Sequence, residues 1–516
     1  MLGLGFSLPN TLRANHAVSA PAAGPLIPLH STLVAIGDSI TEGGKAYGYH
    51  EYAMIALNGR LAYGPGGNLG VPGNRTDEIL ARIDEAVCQN AAAYSLLMGT
   101  NDFLTGRALQ DIKDDYDAIL AALPSSSLII VHGVTPAQNI AGAGREADRL
   151  ALNAWLAAKE SVSGTSGLKY ISFDDIISDY DDTSIVPDGT HPACRTAKLM
   201  GDRTAAYLTT KIESGSILYA DQAAADADGN FNGDWDFSGT GGAKIGSGVA
   251  ATGEVADGWT MVNNTDATIV CSKSTLRGRE CQQIDITGTV SSDGTFNIQT
   301  QDYDTSWTGG EDYVDSWCDI EITHTDGVSA PVGLDGADWK PGSVGRILRS
   351  QTTGFGPFDF VLSGVFRSRP LVSTNTSGVI LIASALEGTL LAGAVNVRIK
   401  LAAAGLRPSS VNAVATGVPV LMSYAIAPAR SGSASVGAVQ TVSQPGTWLG
   451  HGFALTYQWK RYDAGTEAFV ENISGATART YTLASADIGY KVGCTITATN
   501  SFGATSKDTA LSATVS

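Results

Sequence analysis

The sequence is poor in charged residues and has no long apolar run. Only 16% of its 516 residues are Asp, Glu, Lys or Arg, whereas 60 are glycine. This combination is typical of β-rich domains with many tight turns. No run approaches the ~18 apolar residues that a membrane-spanning helix needs, so we expect no membrane span. The length exceeds one ordinary core and predicts about three domains.

Basic residues are scarce as well, with 33 Lys and Arg against 51 Asp and Glu, which gives a net charge of −18. Such a charge repels phosphate backbones, so we expect no nucleic-acid partner. The start, MLGLGFSLPNTLRANH, has no basic residue ahead of its short apolar stretch and lacks the pattern of a secretory signal. We therefore expect an uncleaved start, and the acidity fits an extracellular or virion-surface protein.

The cysteines show no metal-binding pattern. None of the six stands in a C-x-x-C or in a His/Cys cluster with zinc-ligand spacing, so we predict no structural metal. A disulfide between Cys271 and Cys281 is one interpretation, and buried free thiols are the one we favour. The stretch Asp226–Asn230 resembles the start of a calcium loop, but Phe231 and Phe237 occupy the positions that require Gly and Glu. We expect no calcium there.

Composition and hydrophobic pattern divide the chain into four parts. Residues 1–30 are rich in Ala, Pro and Gly and form an arm or linker, and residues 31–214 alternate apolar strands with helical stretches. The predicted strands are Leu33–Ile36, Ser95–Met98, Leu128–Val131 and Tyr170–Phe173, and the predicted helices are Asp77–Cys88, Leu109–Leu123, Glu146–Ser161 and Ala193–Ile212. This alternation predicts a parallel sheet with helices on both faces, and chemistry outside the carboxyl ends of its strands.

The remaining two parts contain many short strand patterns and few helices. Residues 215–410 include strand-like runs such as Thr268–Ser272 and Asp359–Phe366, and predict a β-sandwich. Residues 411–516 form a last segment that ends in further strand-like runs. There is no repeat of fixed period.

A serine directly follows the first predicted strand, in Gly37-Asp38-Ser39. Gly37 permits a tight strand-to-helix turn, which would place Ser39 at a helix N-terminus. Alone, this pattern fits a helix cap better than a nucleophile. The sequence Asp188-Gly189-Thr190-His191 changes that balance, because it supplies a base and a carboxylate from one loop.

Two loops could supply donors for an oxyanion, which acyl transfer also requires. The segment 68–76, NLGVPGNRT, is a glycine-bearing loop before a helix, so the N–H of Gly73 can face the site. Segment 99–102, GTND, follows an apolar strand, and the Asn101 side chain would emerge at the same sheet edge. Singly, each would be an ordinary loop.

Together, in this order, the segments GDSIT, NLGVPGNRT, GTND and DGTH resemble the SGNH (GDSL-type) hydrolase family over roughly residues 31–213. The resemblance implies a flavodoxin-like α/β/α domain, ester cleavage and no cofactor. It implies Ser39 as nucleophile, Asp188 orienting the general base His191, and an oxyanion hole formed by Ser39, Gly73 and Asn101. The G-x-S-x-G elbow of α/β-hydrolases is absent from the sequence. We interpret His50 as a packed or surface histidine rather than a pocket residue.

The β-rich parts carry weaker resemblances. The segments 232–239 and 257–259 look like the opening of a carbohydrate-binding-type jelly roll, in which Trp235 and Trp259 could stack on sugars or form core. The last part resembles a bacterial or phage Ig-like domain with Trp459 as its buried tryptophan. Cys494 has no obvious cysteine partner on strand B of such a domain, so we expect no inter-sheet disulfide of the antibody type.

These observations predict an esterase that removes acyl groups, O-acetyl groups in particular, from a polysaccharide, with the phage tail or virion surface as a setting by analogy. Virion or cell-surface proteins are expected neighbours, and the oligomeric state stays open. One alternative is a receptor-binding or structural virion protein that uses the SGNH fold as a scaffold. Another is a lipase or thioesterase, for which we would expect a more apolar lid.

Overall fold

The computed structural model describes most of the chain. The described residues are 26–43, 48–87, 89, 91–227, 235–300, 313–341, 358–367, 371–372, 384–408, 423–426, 428–444, 447–449, 454–500 and 503–516. Of the predicted arm, residues 1–25 therefore lie outside the described residues and residues 26–30 lie within them. We call the described residues 26–214 the α/β region, 215–408 the first β region and 423–516 the second β region; the predicted domain boundaries stay predictions.

The α/β region is built on a six-stranded sheet. Its strands are β1 (Thr32–Gly37), β2 (Ala62–Gly70), β3 (Ala93–Leu97), β4 (Leu128–His132), β5 (Ser161–Ser163) and β6 (Ser166–Ile171). They lie in the order β2-β1-β3-β4-β6-β5, and every pair is parallel except β5 with β6. The five parallel strands thus follow the flavodoxin-like order, and the chain reverses its direction of progress at β1 and β3.

Short helices connect these strands. They are α1 (Ser39–Glu42), α2 (Tyr49–Ala56), α3 (Thr76–Leu80), α4 (Asp84–Val87), α5 (Thr100–Leu104), α6 (Leu109–Ala122), α7 (Gln138–Gly142), α8 (Glu146–Ala157) and α9 (Cys194–Thr209), with α10 (Gln222–Ala227) following the region.

The two faces of the sheet pack into separate apolar cores, because successive side chains of a strand point to opposite faces. In β1, Val34 and Ile36 belong to one core, with α3, α6 and α8. Leu33 and Ala35 belong to the other core, with α2 and α9. The predicted parallel sheet with helices on both faces is confirmed.

Some predicted elements differ in extent from those observed. The predicted helix Asp77–Cys88 is two short helices, α3 and α4, joined by a turn at residues 81–83. The last parallel strand begins at Ser166 rather than at Tyr170, because Ser166 pairs with Ser163 of β5 and Gly167 pairs with Leu128 of β4. Helix α8 ends at Ala157, before the chain turns into the edge strand β5.

The first β region consists of two sheets. Its strands are β7 (Gly241–Ile245), β8 (Thr252–Gly253), β9 (Val255–Asn263), β10 (Thr268–Leu276), β11 (Arg279–Val290), β12 (Gly294–Thr300), β13 (Tyr313–Thr323), β14 (Leu334–Pro341), β15 (Leu362–Arg367), β16 (Leu371–Val372), β17 (Ser384–Leu390) and β18 (Gly393–Pro408). One sheet has the order β15-β13-β18-β11-β10-β8 with β16 beside β13, and the other has the order β14-β17-β12-β9-β7. Their inner faces share one apolar core.

The tryptophans and cysteines of this region are buried. Trp259 is fully buried and stacks on Phe237, with ring centroids 4.2 Å apart. Trp235 is 5% exposed, so both tryptophans form core and neither offers a face to a sugar. Cys271 and Cys281 are buried free thiols rather than a disulfide, because Cys281 pairs across the hairpin with Ser274.

The second β region has three small sheets. Its strands are β19 (Ser423–Ile426), β20 (Ala429–Ser431), β21 (Val439–Gln444), β22 (Thr447–Leu449), β23 (Ala454–Asp463), β24 (Phe469–Asn472), β25 (Thr480–Thr482), β26 (Tyr490–Asn500) and β27 (Gly503–Asp508). Four of them form a sheet in the order β24-β23-β26-β27, β20-β21-β25 form a second, and β19 pairs with β22. Trp459 is fully buried in the core of this region and lies opposite Cys494 in the β23–β26 pair.

The first β region packs directly against α2 and α9. Tyr52 and Ile55 of α2 join the apolar core of the sandwich, and the ring of Tyr52 meets that of Phe360 edge-on at 5.6 Å. Arg367 of β15 donates a 3.0 Å hydrogen bond to the carbonyl of Gly59. The sandwich therefore covers apolar surface that a separate α/β domain would expose to water.

One close backbone approach in this interface requires a glycine at position 364. A Cβ added to Gly364 would lie 2.2 Å from the carbonyl oxygen of Ile55, whereas one added to Gly393 would meet nothing within 4 Å. Both residues have positive φ, so Gly393→Ala is a matched control for backbone strain. We expect Gly364→Ala to destabilise the protein by about 1–3 kcal/mol more than Gly393→Ala. Calorimetric melting of both variants tests this, and equal losses of melting temperature would contradict the interface.

Candidate active site

Ser39, His191 and Asp188 form a chain of hydrogen bonds. Nε2 of His191 lies 2.7 Å from Oγ of Ser39, and Nδ1 of His191 lies 2.8 Å from Oδ2 of Asp188. An ionised carboxylate only accepts, so Nδ1 carries the ring proton and Nε2 is left to accept from the serine hydroxyl. The structure thus brings together the three residues that the sequence assigned to a triad.

The loop that carries the base is tightly hydrogen-bonded. Oδ1 of Asp188 accepts from the backbone N–H of Thr190 at 3.0 Å and of His191 at 2.7 Å. The backbone N–H of Gln138, at the start of α7, donates to the carbonyl of Gly189 at 2.7 Å. Partial burial would raise the pKa of Asp188, but the hydrogen bonds from the backbone and ring of His191 outweigh it and hold this pKa below its usual range. The carboxylate therefore stays ionised at neutral pH.

Ser39 is the first residue of α1 and directly follows the tight turn at Asp38 that ends β1. A Cβ on Gly37 would lie 2.1 Å from the carbonyl oxygen of Leu97 in β3, so only glycine allows this approach. Oδ1 of Asp38 accepts a 2.9 Å hydrogen bond from the N–H of Ile40 and caps the short helix. The turn lies at the switch point of the sheet, where ligands of open α/β folds bind.

The two predicted oxyanion segments contact this turn and each other. The N–H of Val71 donates to the carbonyl of Gly37 at 3.1 Å, which fixes the start of the glycine loop. Gly73 has a φ of 80°, in the left-handed region that favours glycine. Nδ2 of Asn101 donates to the carbonyl of Asn74 at 3.0 Å. The loop and the asparagine are therefore held side by side, and their role as oxyanion donors stays a prediction.

A cluster of charged residues that the sequence did not predict, Asp102, Arg107 and Asp115, binds the end of the glycine-bearing loop at Thr76. Asp102 is fully buried, and its two oxygens accept from the N–H of Thr76 at 2.9 Å and its hydroxyl at 2.8 Å. Arg107 donates to Asp102 at 2.6 Å and to Asp115 at 2.7 Å. Burial raises the pKa of Asp102, although the bonds from Thr76 and Arg107 oppose the rise. The GTND motif indicated Asn101, but Arg107 and Asp115 carry no local signal.

The sequence also raised His50 and a calcium-like loop as candidates for functional sites. His50 is 1% exposed, bonded to the hydroxyl of Tyr63 and, through Nε2, to the carbonyl of Thr41 at 2.7 Å, so it is packed as expected. In the part of the chain that the structure describes, no group of three His, Cys, Asp or Glu residues could hold a metal ion. Asp228–Asn230 of the rejected calcium loop lie outside that part.

Comparison with known proteins identifies the family of the α/β region. Residues 35–194 match the model of the GDSL-like lipase/acylhydrolase family. The α/β region is therefore a GDSL/SGNH hydrolase domain. No match was found among curated proteins. Every helix within the described ranges is too short or too polar to span a lipid bilayer.

Several solved structures resemble the domain at low identity. A lipase/acylhydrolase from Enterococcus faecalis is 16% identical, with a TM-score of 0.31 over 36% of this chain and 99% of that one. A lipolytic G-D-S-L family member from Veillonella parvula is 19% identical, with a TM-score of 0.29 over 34% and 98%. AlinE4, an SGNH-hydrolase family esterase, is 22% identical, with a TM-score of 0.26 over 36% and 98%.

The buried carboxyl next to the serine generates a pH-dependent prediction. Burial raises the pKa of Asp38 to about 7, against the hydrogen bond from Ile40, and the charge of Asp102 adds to the rise. Between pH ~4 and ~7 the folded state therefore holds a proton that the unfolded state has lost, so this carboxyl costs stability as the pH rises. Asp38→Asn keeps the cap of Ile40 and has no such proton.

We expect the stability of the wild type, relative to Asp38→Asn, to fall across this window by at most about 1.4 kcal/mol per pH unit. Urea unfolding of both proteins at a series of pH values measures the difference. A difference that stays constant between pH 4 and 7 would show that Asp38 titrates normally.

Proposed function

We propose that the chain is a serine esterase that removes acyl groups, specifically O-acetyl groups, from a polysaccharide. The observation that carries the proposal is the chain of hydrogen bonds from Ser39 through His191 to Asp188. A hydroxyl bonded to a ring nitrogen, whose other nitrogen is bonded to a carboxylate, is the arrangement that activates a serine for attack on a carbonyl.

The reaction proceeds through an acyl-enzyme. His191 Nε2 takes the proton of Ser39 as its oxygen attacks the ester carbonyl, and the resulting oxyanion is stabilised by the N–H groups of Ser39 and Gly73 and the amide of Asn101. The intermediate collapses, the C–O bond to the alcohol breaks, and His191 returns the proton to the leaving oxygen. Water then attacks the acyl group by the same route and regenerates Ser39.

The surface of the domain favours a small acyl group on a polar substrate. Among the described residues of the α/β region, the exposed large apolar side chains are Leu104 on α5, Leu150 on α8 and Leu199 on α9, with Leu26 and Val71 outside the helices and strands. Single exposed apolar residues are ordinary, whereas lipid substrates are met by contiguous apolar surface. This weighs against a lipase or thioesterase.

We propose a jelly roll for the first β region and an Ig-like fold for the second. Two sheets around one core support the first assignment, and the buried Trp459 opposite Cys494 supports the second. Because Trp235 and Trp259 are core residues, any sugar contact of the jelly roll would use other side chains. Placement on a virion or cell surface, with neighbouring proteins there, rests on the acidic and modular sequence.

The test is hydrolysis of p-nitrophenyl acetate and octanoate by the full chain, with acetate release from acetylated xylan in parallel. We expect turnover of the acetate ester, little of the octanoate, and a loss of at least about 10³-fold in kcat for Ser39→Ala, because the nucleophile is removed. Ser126→Ala is the matched control. Ser126 is exposed in the loop before β4, at the amino ends of the parallel strands, whereas Ser39 follows the carboxyl end of β1.

Equal activity of Ser39→Ala and Ser126→Ala would remove Ser39 from the mechanism. Absence of turnover by the folded wild type on every ester would contradict the esterase and favour a binding protein built on this fold. Turnover of the acetate ester without acetate release from any acetylated glycan would contradict the substrate class alone.

A further inference from the structure

The guanidinium of Arg82 connects the turn at residues 37–39 (the nucleophile turn) with two points of the segment 68–76 (the glycine loop). Arg82 lies in the turn between α3 and α4, and its side chain is 17% exposed. Its Nη2 donates to the carbonyl of Leu69 at 2.8 Å and to that of Gly37 at 3.3 Å, and its Nε donates to Oδ1 of Asn74 at 3.0 Å. One side chain thus contacts the nucleophile turn and both ends of the glycine loop.

These contacts lie next to two of the three oxyanion donors. The carbonyl of Gly37 stands two residues before Ser39 and also accepts from the N–H of Val71. Asn74 directly follows Gly73, and its own carbonyl accepts from the Asn101 amide at 3.0 Å. A movement of residue 74 would therefore shift Gly73 and the partner of Asn101 together.

The chemistry of the contacts points to positioning rather than to simple ion pairing. Arg82 also forms an ion pair with Glu85, but the Nη1–carboxylate distance of 3.7 Å is longer than each of its three hydrogen bonds to the turn and the loop. Burial lowers the pKa of Arg82, so enclosing this cation costs free energy. The planar guanidinium offers several donors in a fixed geometry, which suits it to hold carbonyls of separate segments at set distances.

We propose that Arg82 is the positioning residue of the oxyanion hole, which sets the glycine loop against the nucleophile turn. The proposal rests on the proposed function of this site. Displacing a donor by about 1 Å weakens the transition state more than the ground state, so loss of Arg82 lowers kcat and leaves KM nearly unchanged.

The variants are Arg82→Met, Arg82→Lys and Asn74→Ala, with Arg60→Met as the matched control. Arg60 also connects separate segments, because it donates hydrogen bonds to the carbonyls of Leu57 and Glu213 at 3.0 and 3.3 Å. It precedes β2 and therefore lies at the amino ends of the parallel strands, away from the candidate site. We expect Arg82→Met to lower kcat for p-nitrophenyl acetate by about 10- to 100-fold with KM within about 2-fold. Arg82→Lys should recover part of the loss, and Arg60→Met should lower the melting temperature but keep kcat.

Hydrogen exchange gives a readout that needs no activity. In Arg82→Met the amides of residues 70–76 should exchange faster than in the wild type and in Arg60→Met. Asn74→Ala removes the side-chain oxygen that accepts from Nε of Arg82, and it should lower kcat as Arg82→Met does. This variant keeps the proposal testable if Arg82→Met does not fold.

The proposal is overturned if Arg82→Met, or Asn74→Ala in its place, keeps wild-type kcat, or if exchange at residues 70–76 does not change. It is also overturned if Arg60→Met loses as much kcat as Arg82→Met, since the effect would then be general destabilisation. An inactive wild type with faster exchange in Arg82→Met would contradict the proposed function while keeping the positioning of the loop.

Discussion

The hydrogen bond between His191 and Ser39 joins two residues 152 positions apart in the chain, at 2.7 Å. This distance is met only when the sheet and its helices have assembled, because Ser39 follows the inner strand β1 and His191 precedes the helix α9 that covers one face. The bond therefore requires the two cores, the tight Gly37 turn and the Asp188 loop at once. A functional site in this fold is a property of the whole domain rather than of its motifs.

The structure supports that geometry with charge buried behind the site. Asp102 and Arg82 hold the two predicted oxyanion segments by hydrogen bonds to backbone groups of Thr76 and Leu69. Such an arrangement keeps donors pre-oriented and avoids their reorganisation during the reaction. The sandwich adds a second constraint, because Tyr52 and Ile55 of α2 are buried against it. The first β region thus belongs to the packing of the hydrolase domain, whatever else it binds.

The local patterns of the sequence predicted what is local in the structure. Strands such as β1 and β4 follow from short apolar runs, and the DGTH loop follows from spacing within four residues. What the sequence could not show depends on contacts between distant segments. Arg82 looks like an ordinary helical arginine until its three partners come together, and Ser166 looks like a loop residue until it pairs as part of β6. Trp259 fits a core or a sugar platform equally well, since both need an aromatic after a turn; only its burial decides.

The central claim is that Ser39 is an activated nucleophile, and the most direct measurement is its covalent capture. A fluorophosphonate probe, which reacts with activated serines, is incubated with the folded full chain, and the adduct is located by mass spectrometry of peptides. The account predicts one adduct, on Ser39, formed in the wild type and strongly slowed in His191→Ala, because the base no longer takes the serine proton. An unlabelled wild type, or an adduct on another serine that persists in Ser39→Ala, would contradict it.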